Sequence, residues 1–157
     1  MCANDSSFAD NRKSSQGYIM ILFGGAIGWR ANKQDTVTTS STEAELLALS
    51  QTAKEAIFMS RLFKALSLEL NEPLRIKCDN RQTIRLFDNS PVKLVTKLRY
   101  VDIRQECKRG TVQPEWEATK DMIADGLTKS LEKQKFAHFV KLLRMEDQTE
   151  HLSTYSA

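Results

Sequence analysis

Thr42-Glu43-Ala44-Glu45-Leu46-Leu47-Ala48-Leu49-Ser50 opens the longest helix pattern in the chain. Ser40, Ser41 and Thr42 supply hydroxyls suited to an N-cap. Two pairs, Ser40 with Glu43 and Thr42 with Glu45, have capping-box spacing. Good helix formers continue through Ala53-Lys54-Glu55-Ala56 to about Leu66, with apolar residues on both sides of the run. Such a helix packs into a core rather than lying on a surface. Glu45 is the residue to explain. A carboxylate in a first turn favours the helix N-terminus and can be simply solvated. That plain reading weakens once the other acids are placed.

Upstream, Gly17 to Phe23 reads as a strand, Gly24-Gly25 as a turn, and Ala26 to Ala31 as a returning strand. Downstream, Asn71-Glu72-Pro73 stops the long helix. Leu74 to Cys78 alternates like a strand and runs into Asp79-Asn80. A short helix is expected from about Arg81 to Asp88, ended by Ser90-Pro91. Thr111 to Glu117 reads as a strand whose Pro114 suits an edge or a bulge. Helices are expected over 120–129 and 132–145, and a loose polar tail over 146–157. The pattern predicts one mixed α/β domain over 1–145, a single sheet with helices packed on it.

The chain has 157 residues, 41% hydrophobic and 27% charged, which suits one soluble globular core and excludes a disordered or collagen-like polymer. No apolar run is long enough to span a bilayer, and the N-terminus lacks a basic and an apolar signal region. Cys2, Cys78 and Cys107 are odd in number and without CxxC spacing. They point to a reducing intracellular compartment, cytoplasmic or nuclear, and away from a disulfide frame or a cysteine zinc site. A net charge of +3 permits a nucleic-acid partner without requiring one.

Four acids fall at element junctions. Asp5 precedes the hairpin, Glu45 starts the long helix, Asp79 ends a strand, and Asp125 follows the last strand. Open α/β sheets place their sites at such junctions. Oxygen donors from four elements suit hard divalent ions in a two-metal phosphodiester site, the ions about 4 Å apart. Spacing alone is weak support, because 20 acids offer many quartets.

Ser40-Ser-Thr-Glu-Ala-Glu45, Cys78-Asp-Asn80 and Ala124-Asp-Gly-Leu-Thr-Lys129 carry a further signal. With Ser14-Ser-Gln-Gly-Tyr18, Gly24-Gly-Ala-Ile-Gly-Trp29, Lys33-Gln34, Ala53-Lys-Glu-Ala56, Thr96-Lys97 and Val101-Asp-Ile103, the sequence resembles the RNase H domain of copia-type retrotransposon polyproteins. The motifs stand in that family's order from about residue 5 to 143. The resemblance implies an RNase H fold, a mixed five-stranded sheet with flanking helices. It implies hydrolysis of the RNA strand of an RNA–DNA hybrid, dependent on two Mg2+ or Mn2+ ions. It maps the catalytic and metal-binding acids to Asp5, Glu45, Asp79 and Asp125. Reverse transcriptase and integrase parts would belong to the parent polyprotein.

Ser6, Asn80 and Thr128 are candidates to hydrogen-bond the nucleic acid, and Lys97 and Arg99 to meet its phosphates. They lie within or beside a basic stretch that also holds Lys93, Arg104, Lys108 and Arg109, or next to the acids. Three departures from the family pattern set further expectations. Ser7 stands where the family has a second aspartate. The first strand starts only four residues before Asp5 and is expected to be truncated or frayed. The helix over 104–110 is shorter than the family's. A non-catalytic remnant that at most binds nucleic acid is therefore the alternative reading. Trp29 and Trp116 are read as core or half-buried packing, and His138 and His151 as structural or solvated.

Overall fold

The structure is a computed structural model, and it describes residues 1–9, 12–68, 70–85 and 103–145. A five-stranded sheet in the order β3-β2-β1-β4-β5 forms the middle of the molecule. β1 is Cys2–Ser7, β2 Ser15–Leu22, β3 Gly25–Lys33, β4 Leu74–Cys78 and β5 Val112–Trp116. β1, β2 and β3 are antiparallel, while β4 lies parallel to β1 and β5 parallel to β4. The chain thus forms the expected mixed five-stranded sheet with flanking helices.

The first strand is short, as its sequence implies, yet it is not frayed. All of Cys2 to Ser7 pairs with β2, and the Met1 ammonium donates to the Ile21 carbonyl at 2.9 Å. On the other side only Cys2 and Ala3 pair with β4. Side chains alternate between the two faces of a strand. Cys2 enters the core under the long helix, and Ala3 enters the core on the opposite face.

Helix α1, Ser41–Ala65, covers the first face. Its apolar stripe of Leu49, Ala53, Ala56 and Ile57 packs on Cys2, Met20, Ile76 and Val112. Of the two possible capping boxes, the fold uses the earlier one. Ser40 Oγ accepts from the Glu43 N–H at 3.1 Å, and Glu43 Oε2 accepts from the Thr39 N–H and hydroxyl at 2.7 and 2.9 Å. Glu45 is therefore free for another role. Gln34 staples the preceding loop to the same turn, its Nε2 donating to the Ala44 carbonyl at 2.8 Å.

α2 is Arg81–Arg85 and α3 Ile103–Lys108, the latter as short as expected, and Ile103 joins the core under α1. The second face has a thinner cover. The helix expected over 120–129 is broken instead. Thr119–Asp121 makes a single 3-10 turn, and α4 spans only Asp125–Thr128. Met122, Ile123 and Ala124 between them are buried against Ala3 and Ile19, and this burial overrides local helix propensity. α5, Lys133–Leu142, closes this face through Phe139 and Leu142.

Two further expectations are corrected. The hairpin turns at Phe23-Gly24, not Gly24-Gly25, with φ of 51° and 85°. Both central residues are left-handed, which matches the twist of the flanking strands. Trp29 and Trp116 are exposed, at 67% and 45%, because β3 and β5 are the sheet's edges. Pro114 sits on the edge strand β5, as its missing N–H requires. The tail and the residues around Lys97 and Arg99 lie outside the described residues.

Candidate active site

The four acids reach one place by different routes. Asp5 stands in the central strand, opposite Gly17 of β2, and is 1% exposed. Asp79 follows the last residue of the neighbouring parallel strand β4. Glu45 comes from the first turns of α1, and Asp125 is the first residue of α4. Asp5, Asp79 and Asp125 each offer an oxygen within 4.8 Å of the others. Glu45, Cys78 and Asp79 form a second group with ligand atoms equally close. Asp79 belongs to both.

Glycine makes the approach of α4 possible. A Cβ on Gly17 would stand 2.9 Å from Leu127 Cβ and 3.3 Å from Thr128 Cγ2. With hydrogen there, α4 sits against β2 next to Asp5, and the Thr128 hydroxyl donates to Asp5 Oδ2. Gly126 makes the same allowance for α5. A Cβ there would fall 2.4 Å from the Phe139 ring. A glycine inside a strand often marks such a close approach.

Burial sets the electrostatics. Desolvation raises the Asp5 carboxyl to about 7. The Thr128 hydrogen bond and Lys129 oppose the rise, and the Asp125 and Asp79 charges add to it. Desolvation likewise raises Glu45 to about 8, with the Asp5 and Asp79 charges adding to it. The Ser6 N–H and hydroxyl oppose that shift, both donating to Glu45 Oε1 at 2.9 and 2.8 Å. Glu45 Oε2 is buried without a hydrogen-bond partner. Thr119 Oγ1 donates to Asp79 Oδ2 at 3.0 Å. Crowded, desolvated carboxylates of this kind call for a cation.

Lys129 answers part of that demand. Its Nζ lies 2.8 Å from Asp125 Oδ1 and 3.5 Å from Asp5 Oδ2. Burial lowers its pKa, but the three aspartates outweigh that and the net shift is upward. The sequence reading did not assign Lys129, although Asp125 to Lys129 has the i,i+4 spacing of a helical ion pair. An ammonium on two of the three carboxylates marks where positive charge is stable. The oxygen-only donor set of Asp5, Asp79 and Asp125 fits a hard divalent ion such as Mg2+.

The other predicted residues fall into place around this centre. Ser6 holds Glu45, and Thr128 holds Asp5. Asn80 Oδ1 caps α2, accepting from the Gln82 and Thr83 N–H groups at 3.0 Å each. Trp116 donates its indole N–H to the Asp79 carbonyl at 3.2 Å, and the Arg81 guanidinium lies 4.0 Å from the centre of its ring system. His138 comes nearer than its sequence position suggests, since it lines with Asp125, Lys135 and Phe139 a cleft of about 500 Å³. Of the basic stretch, Arg109 is paired with Glu106 at 2.8 Å.

No protein-family model matches the chain. It is 37% identical over 141 residues to the retrovirus-related Pol polyprotein from transposon TNT 1-94 of Nicotiana tabacum, covering 87% of this chain and 10% of the relative. It is 34% identical over 134 residues to that from transposon RE2 of Arabidopsis thaliana, covering 83% of this chain and 9% of the relative. The chain thus spans about a tenth of the length of these curated relatives. LC11-RNase H1, solved in complex with an RNA/DNA hybrid, superposes with a TM-score of 0.61 at 14% identity, over 80% of this chain and 91% of that one. The N-terminal RNase H domain of a Mycobacterium tuberculosis protein gives 0.56 at 12% identity, over 89% and 96%. The chain is therefore a homologue of the copia-type retrotransposon Pol polyproteins, matching one segment of them and carrying the RNase H fold.

Proposed function

We propose that the domain hydrolyses the RNA strand of an RNA–DNA hybrid, using two divalent ions held by Asp5, Glu45, Asp79 and Asp125. The observation that carries this reading is the meeting of these residues in two ligand groups that share Asp79. The continuous pairing of β1 with β2 supports it over a non-catalytic remnant, because it fixes Asp5 in the middle of the sheet.

Bound divalent ions would supply an activated water and a counter-charge for the leaving oxygen. The chain's own residues set the geometry. Ser6 fixes one oxygen of Glu45 and leaves the buried Oε2 without a hydrogen-bond partner, so that it would be available to hold an ion. Thr128 and Thr119 orient Asp5 and Asp79. Asn80, Lys97 and Arg99 are proposed contacts for the hybrid's backbone, and Ser6 and Thr128 act on it through the carboxylates they hold.

The test is cleavage of a labelled RNA–DNA duplex by the purified chain with Mg2+. Cleavage should require the ion and stop on chelation. Asp79→Asn should lower the rate by at least about a hundredfold with the circular dichroism of the fold unchanged. Wild-type cleavage by that variant, or salt-sensitive binding without any cleavage, would overturn the proposal.

A further inference from the structure

The second ligand group differs in chemistry from the first. It contains a sulfur. Cys78 is the last residue of β4, fully buried, with its side chain on the α1 side of the sheet beside that of Ile76. Its Sγ, a Glu45 oxygen and an Asp79 oxygen lie within 4.8 Å of one another.

Two further observations mark this spot as built for a ligand. Glu45 is only 5% exposed, and its Oε2 has no hydrogen-bond partner. Asn4 is 0% exposed, and neither its Oδ1 nor its Nδ2 completes a hydrogen bond. Asn4 stands two residues from Cys2 on the same face of β1, and its amide is near the Cys78 sulfur, whose thiol burial pushes up to about 12. A fully buried amide with both polar atoms unsatisfied is costly unless something else meets it.

We propose that Cys78, Glu45 and Asp79 form a binding site for a thiophilic divalent cation such as Zn2+ or Cd2+. Mg2+ takes only oxygen donors in octahedral geometry and is a poor match for this set. Zinc accepts thiolate and carboxylate together, and a tetrahedral shell of its usual bond lengths spaces ligand atoms roughly 3.4–3.8 Å apart. The group therefore needs to contract by at most about 1.4 Å to close on such an ion. Binding forms a metal–sulfur bond and releases the Cys78 proton to water.

A consequence rests on the proposed function. Glu45 and Asp79 cannot serve a soft cation here and the hydrolytic ions at the same time. A soft metal at this site therefore inhibits hybrid cleavage.

The experiment titrates the full chain with Cd2+ alone and follows thiolate-to-cadmium absorption in the ultraviolet. One saturable band at a single equivalent is expected. It should persist in a Cys2→Ser, Cys107→Ser chain and vanish in Cys78→Ser. Glu45→Gln should weaken Cd2+ binding by at least about tenfold. A band that survives Cys78→Ser, or no band in the wild type, overturns the site. If Cys78→Ser does not fold, unchanged Cd2+ affinity in Glu45→Gln overturns it instead. The optical titration needs no turnover. A wild type that binds Cd2+ through Cys78 yet never cleaves a hybrid in Mg2+ keeps this site and loses the proposed function. Cleavage without the band has the opposite meaning.

Discussion

The two faces of the sheet hold the site in different ways. On one face, a helix of 25 residues with a capped start carries Glu45 over a dense apolar core. On the other, Asp125 rides on a helix of only four residues, held by contacts at Gly17 and Gly126. The α1 face supplies stability and holds Glu45 as part of it. The α4 face supplies reach, placing three polar side chains, Asp125, Thr128 and Lys129, beside Asp5 over a smaller buried core. Damage on the first face should unfold the protein, and damage on the second should spare the fold and move the site.

The sharpest way to break that contrast is Leu49→Ala. Leu49 is fully buried at the centre of the α1 core, so its truncation should cost about 2–5 kcal/mol in denaturant unfolding. A loss under 1 kcal/mol would mean that the α1 face is not the stabilising one.

Next in size is a dependence on pH. Desolvation pushes the Glu45 carboxyl up to about 8, from the ordinary 4.5. The folded chain therefore holds a proton that the unfolded chain has lost between those two values. Stability then falls as pH rises from about 4.5 toward 8 in the chain without divalent ions, by an amount on the order of a few kcal/mol. Asp5, at about 7, acts in the same sense. Thermal unfolding from pH 5 to 8 should show the decline. Glu45→Gln should reduce it to the part that Asp5 contributes, and Mg2+ should relieve it at the upper end. A profile that rises with pH over this window would contradict the burial of these carboxyls.

Gly17→Ala probes the other face. The added methyl meets Leu127 and Thr128, and overpacking of this kind costs about 1–3 kcal/mol. The sharper expectation is that hybrid cleavage falls further than stability, because Thr128 is pushed off Asp5. Equal losses in both would assign α4 a structural role only.

The smallest effect is expected from Lys129→Ala. Its ammonium competes with a divalent ion for Asp5 and Asp125. Removing it should lower the Mg2+ concentration for half-maximal cleavage by roughly a few-fold, the scale of a half-exposed ion pair. An increase instead would make Lys129 a contact for the substrate.

Much of this arrangement was legible in short stretches. The start of α1, the strand that ends at Cys78 and the position of Pro114 on an edge each depend on a few neighbouring residues. Their signals are capping hydroxyls, period-two alternation and a missing N–H. The motifs around Glu45, Asp79 and Asp125 also pointed to acids that the fold brings together. Other features were not legible. The expected helix over 120–129 broke because Met122, Ile123 and Ala124 are drawn into the second core. Trp29 and Trp116, expected as core or half-buried packing, are exposed, because composition does not reveal which strands are edges.

The sequence by itself determined the start of α1, the strands and their order along the chain, since capping and alternation act within a few residues. Only the tertiary structure decided that Asp79 is shared between two ligand groups, that Ser6 holds Glu45, and that Lys129 bridges Asp5 and Asp125. Those outcomes depend on strand order and on the face each side chain takes. These are fixed by the packing of residues up to 124 positions apart, Asp5 and Lys129, and no local pattern encodes them.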